Sequence, residues 1–448
     1  MKRILPRILG WSALGLVVLL LVALVLARAL FNQYLHSAAF RHTLSQGAAR
    51  ALHASDADFS PLDFDGSMVY GENFHATRDD GGGFSSIDAD QLRANFDWHG
   101  LLHHAVQIDE LSIQRLNVEP PAASGVTENT EGLSAPPPST FPLGGRTWTV
   151  DLRKAMINEA NWHWSPQGGI AGTALTLTPD GKNWVISAQG GTVSQTGWPD
   201  LHLESAAMRW QPPTLYINSA NLTNGDSHME VTGSIQTRDS LDLLVDFQNL
   251  NVQPVLTPDW REKLSGRLSG HAEIKAPLGQ GDAAGALTVT GSAAMTNGVL
   301  TALPILDQIG LFTQTERFRR LDLTRASAEF TRTPTRLEMR NMVVEAAGLI
   351  RCEGSYTLEN GQIDGTFQVG LTPSTLQWIP GSQEQVFTIA RDGYRWTTMR
   401  LTGPAAHPVD DLTPRLVAAT GNKLIDGVKG VEGTVKKGLQ EGLDLLMH

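Results

Sequence analysis

The chain has 448 residues, a formal net charge of −11 and a charged fraction of 18%, below the roughly 25% of average soluble chains. That acidic balance excludes a nucleic-acid partner, because nothing in it would neutralise phosphates along a groove. With 44 Gly, 23 Pro and a single cysteine, Cys352, the composition points to a turn-rich β chain and excludes an internal disulfide or a cysteine-rich metal site.

Residues 1–7 carry Lys2, Arg3 and Arg7 ahead of an uncharged apolar run from Ile8 to Ala27. At about 1.5 Å per residue the run crosses a hydrocarbon core of about 30 Å, so 8–29 reads as a transmembrane anchor. The positive flank places residues 1–7 in the cytoplasm and the rest of the chain on the far side. Ala27-Arg28-Ala29 also has the small-x-small form of a cleaved signal, which stands as the alternative.

From 30 to 52, Phe31, Leu35, Ala39, Leu44, Ala48 and Leu52 share one face and predict a helix. Turn residues then recur at short intervals and bound short strands. The segment DADQLRANFDWHGLLHHAVQIDELSIQRLNV, 88–118, reads as a strand, a hydrophobic turn at Trp98 to Leu102, and strands carrying Ile108, Leu111, Ile113, Leu116 and Val118. Residues 119–145 are too rich in Pro, Ser and Gly to bury a core and read as a flexible linker. It separates a first β region, 30–118, from a second, 146–411.

In the second region WTVDLRKAMI, GTALTLTPDGKNWVISAQGG, LHLESAAMRW, LYINSANL and HMEVTGSIQT read as strands. Leu241, Leu243, Val245 and Phe247 give the cleanest alternation, with Asp242, Asp246 and Gln248 opposite. Phe367, Val369 and Leu371 alternate in the same way against Thr366, Gln368 and Gly370. Glycines at 233, 266, 270, 291, 354, 365 and 403 mark bends or tight turns. Within this run Leu306, Ile309 and Leu311–Phe312, preceded by Pro304, predict a short amphipathic helix over 303–312. The apolar strand faces either line an open groove or pack on each other as a sandwich.

Residues 412–448 form a tail of different character. Leu424, Val428, Val431, Val435, Leu439, Leu443 and Leu446 recur every three or four positions, while Lys423, Lys429, Lys436 and Lys437 fall elsewhere on the wheel. This is an amphipathic helix that its glycines weaken, so a membrane or partner surface is expected to order it, unless it caps the end of the sheet.

No chemistry emerges from the motifs. His99, His103 and His104 are interrupted by Gly100 and lack an HExxH carboxylate. Gly279 to Ala284 fits G-x-G-x-x-A, but a strand follows where a phosphate-binding helix is needed. No serine lies in G-x-S-x-G, and Asp79-Asp80 and Asp410-Asp411 suit loops or a helix start. The expectation is a non-enzyme without catalytic residues, metal or cofactor.

Three stretches carry a resemblance: TNGVLTALPILDQIG, RLDLTRASAEFT and VVEAAGLIRCEGSYTLENGQIDGTFQVGL, joined by 88–118 and by PVDDLTPRL at 408–416. In order and spacing they resemble the AsmA family of bacterial envelope proteins and their TamB-like relatives. The resemblance implies a mainly β protein: an elongated, curved antiparallel sheet, or β-taco, with an N-terminal transmembrane helix. It implies a single-pass inner-membrane protein with its bulk in the periplasm, active in phospholipid transport and outer-membrane biogenesis and homeostasis. The partners it implies are phospholipid or another acyl lipid, the inner membrane, and outer-membrane or envelope proteins. On this reading Leu241, Leu243, Val245, Phe247, Phe367, Val369 and Leu371 line a lipid groove. Leu306, Ile309 and Phe312 cap it, and Leu424, Val428, Val431, Val435, Leu439 and Leu443 meet a membrane or partner. The alternative is a membrane-tethered, non-enzymatic scaffold or assembly factor for envelope proteins.

Overall fold

Period-two alternation broken at short intervals by Gly, Asn and Asp turns gives a mainly β molecule, with 25 strands among the described residues in one large, mixed, mostly antiparallel sheet. The computed structural model describes His42, Ser45, Gln46, Ala48, Ala49 and residues 52–419, excepting 66–67, 80–83, 98–104, 121–139, 144–145, 166–167, 196–197, 237–238, 257, 278–286, 302–317, 378, 380 and 406–407. The anchor at 8–29, the turn at 98–102, the helix at 303–312 and the tail from 420 onward therefore lie outside the described residues. Among the described residues no helix is long and apolar enough to cross a membrane.

The chain divides into two units, Met1–Gln248 with Ala272–Thr288, and Asn249–His271 with Val289–His448. In the first, β1 (Asp56–Phe59) and β2 (Leu62–Asp65) both pair with β3 (Met68–Thr77), followed by β4 (Ser86–Asp97) and β5 (Ala105–Glu119). Then come β6 (Thr140–Leu143), β7 (Arg146–Leu152), β8 (Ala155–Ser165), β9 (Gly168–Asp180), β10 (Asn183–Gln189) and β11 (Thr192–Gln195). The series continues with β12 (Leu201–Gln211), β13 (Thr214–Asn224), β14 (Ser227–Gln236) and β15 (Ser240–Asn251).

Strands on both sides of the 119–145 stretch pair with one another within the first unit. β7 and β8 both run parallel to β5, in one register from Ala105↔Thr149 to Val118↔Trp162. Parallel neighbours cannot be joined by a tight turn and need a crossover, which is what this connection supplies. Its last residues also form β6, an antiparallel hairpin partner of β7 in which Pro142 occupies a strand position. The polar face of the parallel junction is stitched by Asp109–Arg153 (2.8 Å), Gln114–Asn158 (2.8 Å), Asn117–Asn161 (2.8 Å) and Glu119–His163 (3.1 Å).

One apolar row crosses this unit in register: Leu62, Gly71, Leu92, Ile113, Ile157, Leu175, Ala188, Ala206, Ala220, Val231 and Val245. Packing is tightest at the β1–β5 end. Phe59, Phe74, Phe84, Ile87, Leu92 and Ile108 are fully buried there, and the Phe59 and Phe74 rings lie 4.5 Å apart. The described residues of the preceding helix lay Ala48 and Leu52 into that core. Each such large apolar side chain contributes about 1.5–3 kcal/mol of burial.

β16 (Leu264–Pro277) follows the 3-10 turn Gln253–Val255 and the helical turn Pro258–Arg261. The second unit then contains β17 (Thr288–Thr301), β18 (Arg320–Leu323), β19 (Arg325–Arg332), β20 (Arg336–Ala346), β21 (Ile350–Glu359) and β22 (Gln362–Leu371). After two short helices, Pro373–Leu376 and Ser382–Gln385, come β23 (Ile389–Arg391), β24 (Tyr394–Pro404) and β25 (Val409–Asp410). The core here gathers at β22 and β24. Leu376, Ile379, Val386 and Phe387 cover it from the connecting segment, and Leu412, Leu416 and Ala419 cover it from helical residues 412–419. The first turns of the tail thus belong to this unit's core. On the polar face Gly370 leaves room for Trp396, because a Cβ at that position would lie 2.9 Å from the indole.

Candidate functional site

The sheet's two faces differ in chemistry all along the first unit. The polar face carries side-chain pairs such as His75–Asp88 (2.5 Å), Asn73–Asp90 (2.8 Å) and Arg115–Glu159 (3.2 Å). The Arg115 hydrogen bond, reinforced by Asn161, holds the Glu159 carboxyl below the usual carboxylate range, and the same partner raises Arg115.

On the apolar face, burial varies with position across the strands. Toward the hairpin that joins β14 to β15, Leu215, Ile235 and Leu241 stand in register and are at most 8% exposed. Toward the opposite margin Leu203, Leu222 and Phe247 are likewise buried. Between them Met208, Ile217, Gly233 and Leu243 form one half-buried row, and Ala220, Val231 and Val245 form part of the next. These central side chains keep part of their apolar surface in contact with solvent. The result is an apolar floor two rows wide with buried margins.

Bulges shape this floor. The register shifts between Ile217 and Ala220 against β14, and between Leu203 and Ser205 and between Ala207 and Met208 against β13. Each shift bends the strand and increases its twist. Gly233 sits on the floor at φ 137, where an added Cβ would overlap the Asp242 carbonyl oxygen. Only glycine fits such a conformation without strain.

The predicted groove residues separate into two groups. Leu241, Leu243, Val245 and Phe247 do share one face, with Asp242, Asp246 and Gln248 exposed opposite, although the exposed Leu244 joins the polar side. Only Leu243 and Val245 of the four are half-buried. Phe367, Val369 and Leu371 alternate as expected, but they are 5%, 4% and 0% exposed. They sit in a dry core beneath Leu376, Phe387, Leu412 and Leu416, because the chain after β22 folds back over them. The half-buried part of the second unit's apolar face lies instead on β19–β21, at Val344, Cys352, Met339, Met342 and Tyr356. Leu306, Ile309, Phe312, Leu424, Val428, Val431, Val435, Leu439 and Leu443 lie outside the described residues.

Sequence reasoning did not nominate Met208, Ile217, Ala220 or Val231. The bulge puts Ile217 and Ala220 on one face at a spacing of three, so strict alternation hides them. The signal that finds them is the register, which carries the apolar face from Val245 to Val231 and Ala220, and from Leu243 through Gly233 to Ile217 and Met208.

No group of His, Cys, Asp or Glu that could hold a metal ion occurs among the described residues. Burial pushes the Cys352 thiol up to about 12. The first unit thus presents an apolar strip of half-buried side chains on one face of its sheet. No protein-family model, curated protein or solved structure matches the chain.

Proposed function

We propose that this chain is an inner-membrane-anchored periplasmic protein related to the AsmA family. Its half-open sheet face takes up the acyl chains of phospholipids in the service of phospholipid transport and outer-membrane biogenesis. The observation that carries this reading is the floor formed by Met208, Ile217, Leu243, Ala220, Val231 and Val245, apolar yet half-buried between buried margins. Apolar surface left in water costs about 25 cal/mol per Å², and an acyl chain laid along the floor recovers it. The charged opposite face keeps the sheet soluble while the floor is filled. The anchor at 8–29 would hold the floor close to a source of lipid, with residues 1–7 in the cytoplasm.

The test is native mass spectrometry and lipid extraction of the gently purified full-length protein. Bound phospholipid is expected, and its loss is expected in Leu243→Asp and Val245→Asp variants that keep their circular dichroism. A wild-type protein isolated free of lipid would overturn the reading.

A second reading, a non-enzymatic scaffold or assembly factor, draws on the dry packing of Phe367, Val369 and Leu371. A sheet whose apolar face is covered by its own chain there needs no lipid. Protein recovered without lipid but in complex with other envelope proteins would favour it.

A further inference from the structure

All the methionines except Met1 and Met447 lie among the described residues. Met68 and Met156 stand on the polar face, and Met399 is 8% exposed in the second unit's core. The remaining five, Met208, Met229, Met295, Met339 and Met342, are half-buried on the apolar face. In the first unit Met208 is in register with Ile186 and Ile217, and Met229 with Leu222 and Phe247. Those in-register neighbours are hydrocarbon, and the Trp184 and Trp210 rings stand beside Met208 on the same face.

A thioether is soft and conformationally adaptable, which suits a floor that follows acyl chains of varying shape. It is also a nucleophile that needs no deprotonation. Cys352, the other sulfur on an apolar face, lies in the second unit and stays protonated because burial raises it, so it reacts slowly by the thiolate route.

We infer that Met208 on the floor and Met229 in the row beside it are oxidation sites that control ligand binding at the floor: a peroxide converts them to sulfoxides and lowers the floor's affinity for apolar ligand. This rests on the acyl-ligand reading above. In the step, a sulfur lone pair attacks one peroxide oxygen, the S–O bond forms as the O–O bond breaks, and sulfur gives up two electrons. The departing oxygen takes the proton of the transferred one and leaves as water. The product is a polar, strongly accepting group on a surface made mostly of hydrocarbon, and such a group resists burial under an acyl chain.

The experiment uses the full-length chain, hydrogen peroxide, and 1-N-phenylnaphthylamine as the apolar probe, with peptide mass spectrometry to locate added oxygen. Oxygen is expected at Met208 and Met229 well before Met399. Probe affinity is expected to fall roughly tenfold, while in a Met208→Leu/Met229→Leu variant, close to isosteric, the affinity after treatment is expected to match that variant's own value before treatment. Unchanged binding by protein shown to carry both sulfoxides would overturn the inference, as would oxidation of the pair no faster than Met399. Equal loss of binding in the double variant would also overturn it, because the cause would then lie elsewhere. Failure of the untreated protein to bind the probe overturns the acyl-ligand reading itself and is seen before any peroxide is added.

Discussion

Arg115 and Glu159 are 44 positions apart in the chain, yet the Arg115 Nε lies 3.2 Å from a Glu159 carboxylate oxygen across the parallel β5–β8 junction. Asp90 adds a second carboxylate 3.9 Å from the same guanidinium, so three strands are tied at one point on the polar face. The junction is also where the chain returns from the long crossover. A register slip there would turn the whole of β8 over and expose Ala155 and Ile157.

This tie predicts a pH signature. Because Glu159 is held below the ordinary carboxylate range in the fold, its contribution is full above about pH 4.3, the unfolded value, and is lost as pH falls through the lower folded one. Glu159→Gln should therefore melt slightly below wild type at neutral pH, and the two curves should converge on acidification. Thermal unfolding from pH 7 to pH 3 checks this, and a constant gap across the range would show that Glu159 acts through packing alone.

Much of the fold was legible because period two survives wherever strands are regular. Leu241 to Phe247 and Phe367 to Leu371 declare their shared faces in the sequence itself. Whether a face is open or covered is not a property of the strand that carries it. Phe367 is dry because Phe387 and Leu416 fold back on it, and nothing between Gln362 and Leu371 encodes that return. The parallel β5–β8 pairing was hidden for a related reason, since a crossover and a linker have the same composition. Bulges hid Ile217 and Ala220 by replacing a spacing of two with a spacing of three. Glycine was a partial guide: of the seven positions picked out as bends or tight turns, 233, 266 and 403 have positive φ, while 270, 291, 354 and 365 do not.

A comparison within one strand separates floor from margin. Leu241 is 5% exposed and Leu243 is half-buried, two positions along on the same face. Leu241→Ala should cost about 2–5 kcal/mol, as for a buried leucine that leaves a cavity, and Leu243→Ala only about 1 kcal/mol, because less area is uncovered. Urea unfolding of the two variants measures the difference. Equal costs would mean that the floor is as closed as its margins.

Cys352 should be chemically silent in the folded chain. With its thiol pushed up to about 12 by burial, the thiolate is scarce at pH 8. Unfolding returns it to about 8.5, so alkylation by iodoacetamide should be on the order of a thousandfold slower in buffer than in denaturant. Rapid labelling of native protein would mean that the β21 face opens to solvent more often than its packing against Val344 and Val369 suggests.

The edge of β24 is sealed by side chains as well as by strands. β23 pairs with Tyr394–Trp396 and β25 with Leu401–Thr402, and the interval between them would present bare backbone to solvent. Here Arg415 donates to the Thr397 hydroxyl at 3.1 Å and to the Thr398 carbonyl. Asp411 accepts from the Arg400 amide at 2.7 Å, and its own amide donates to the Arg400 carbonyl at 3.1 Å. Asp410 anchors the start of the same helix by accepting from the Thr413 amide at 2.6 Å. An unsealed strand edge is a template for pairing with another chain. Arg415→Ala should thus lower stability by about 1–3 kcal/mol, the range for a lost charge-assisted hydrogen bond, and also raise the concentration-dependent formation of β-rich aggregates. Arg415→Lys keeps the charge but loses the planar fork and should rescue only part of the effect. Size-exclusion chromatography with thioflavin fluorescence over a concentration series reads the outcome. Arg415→Ala protein that is less stable but stays monomeric at every concentration would reduce Arg415 to a packing contact and leave the edge protected by β23 and β25 alone.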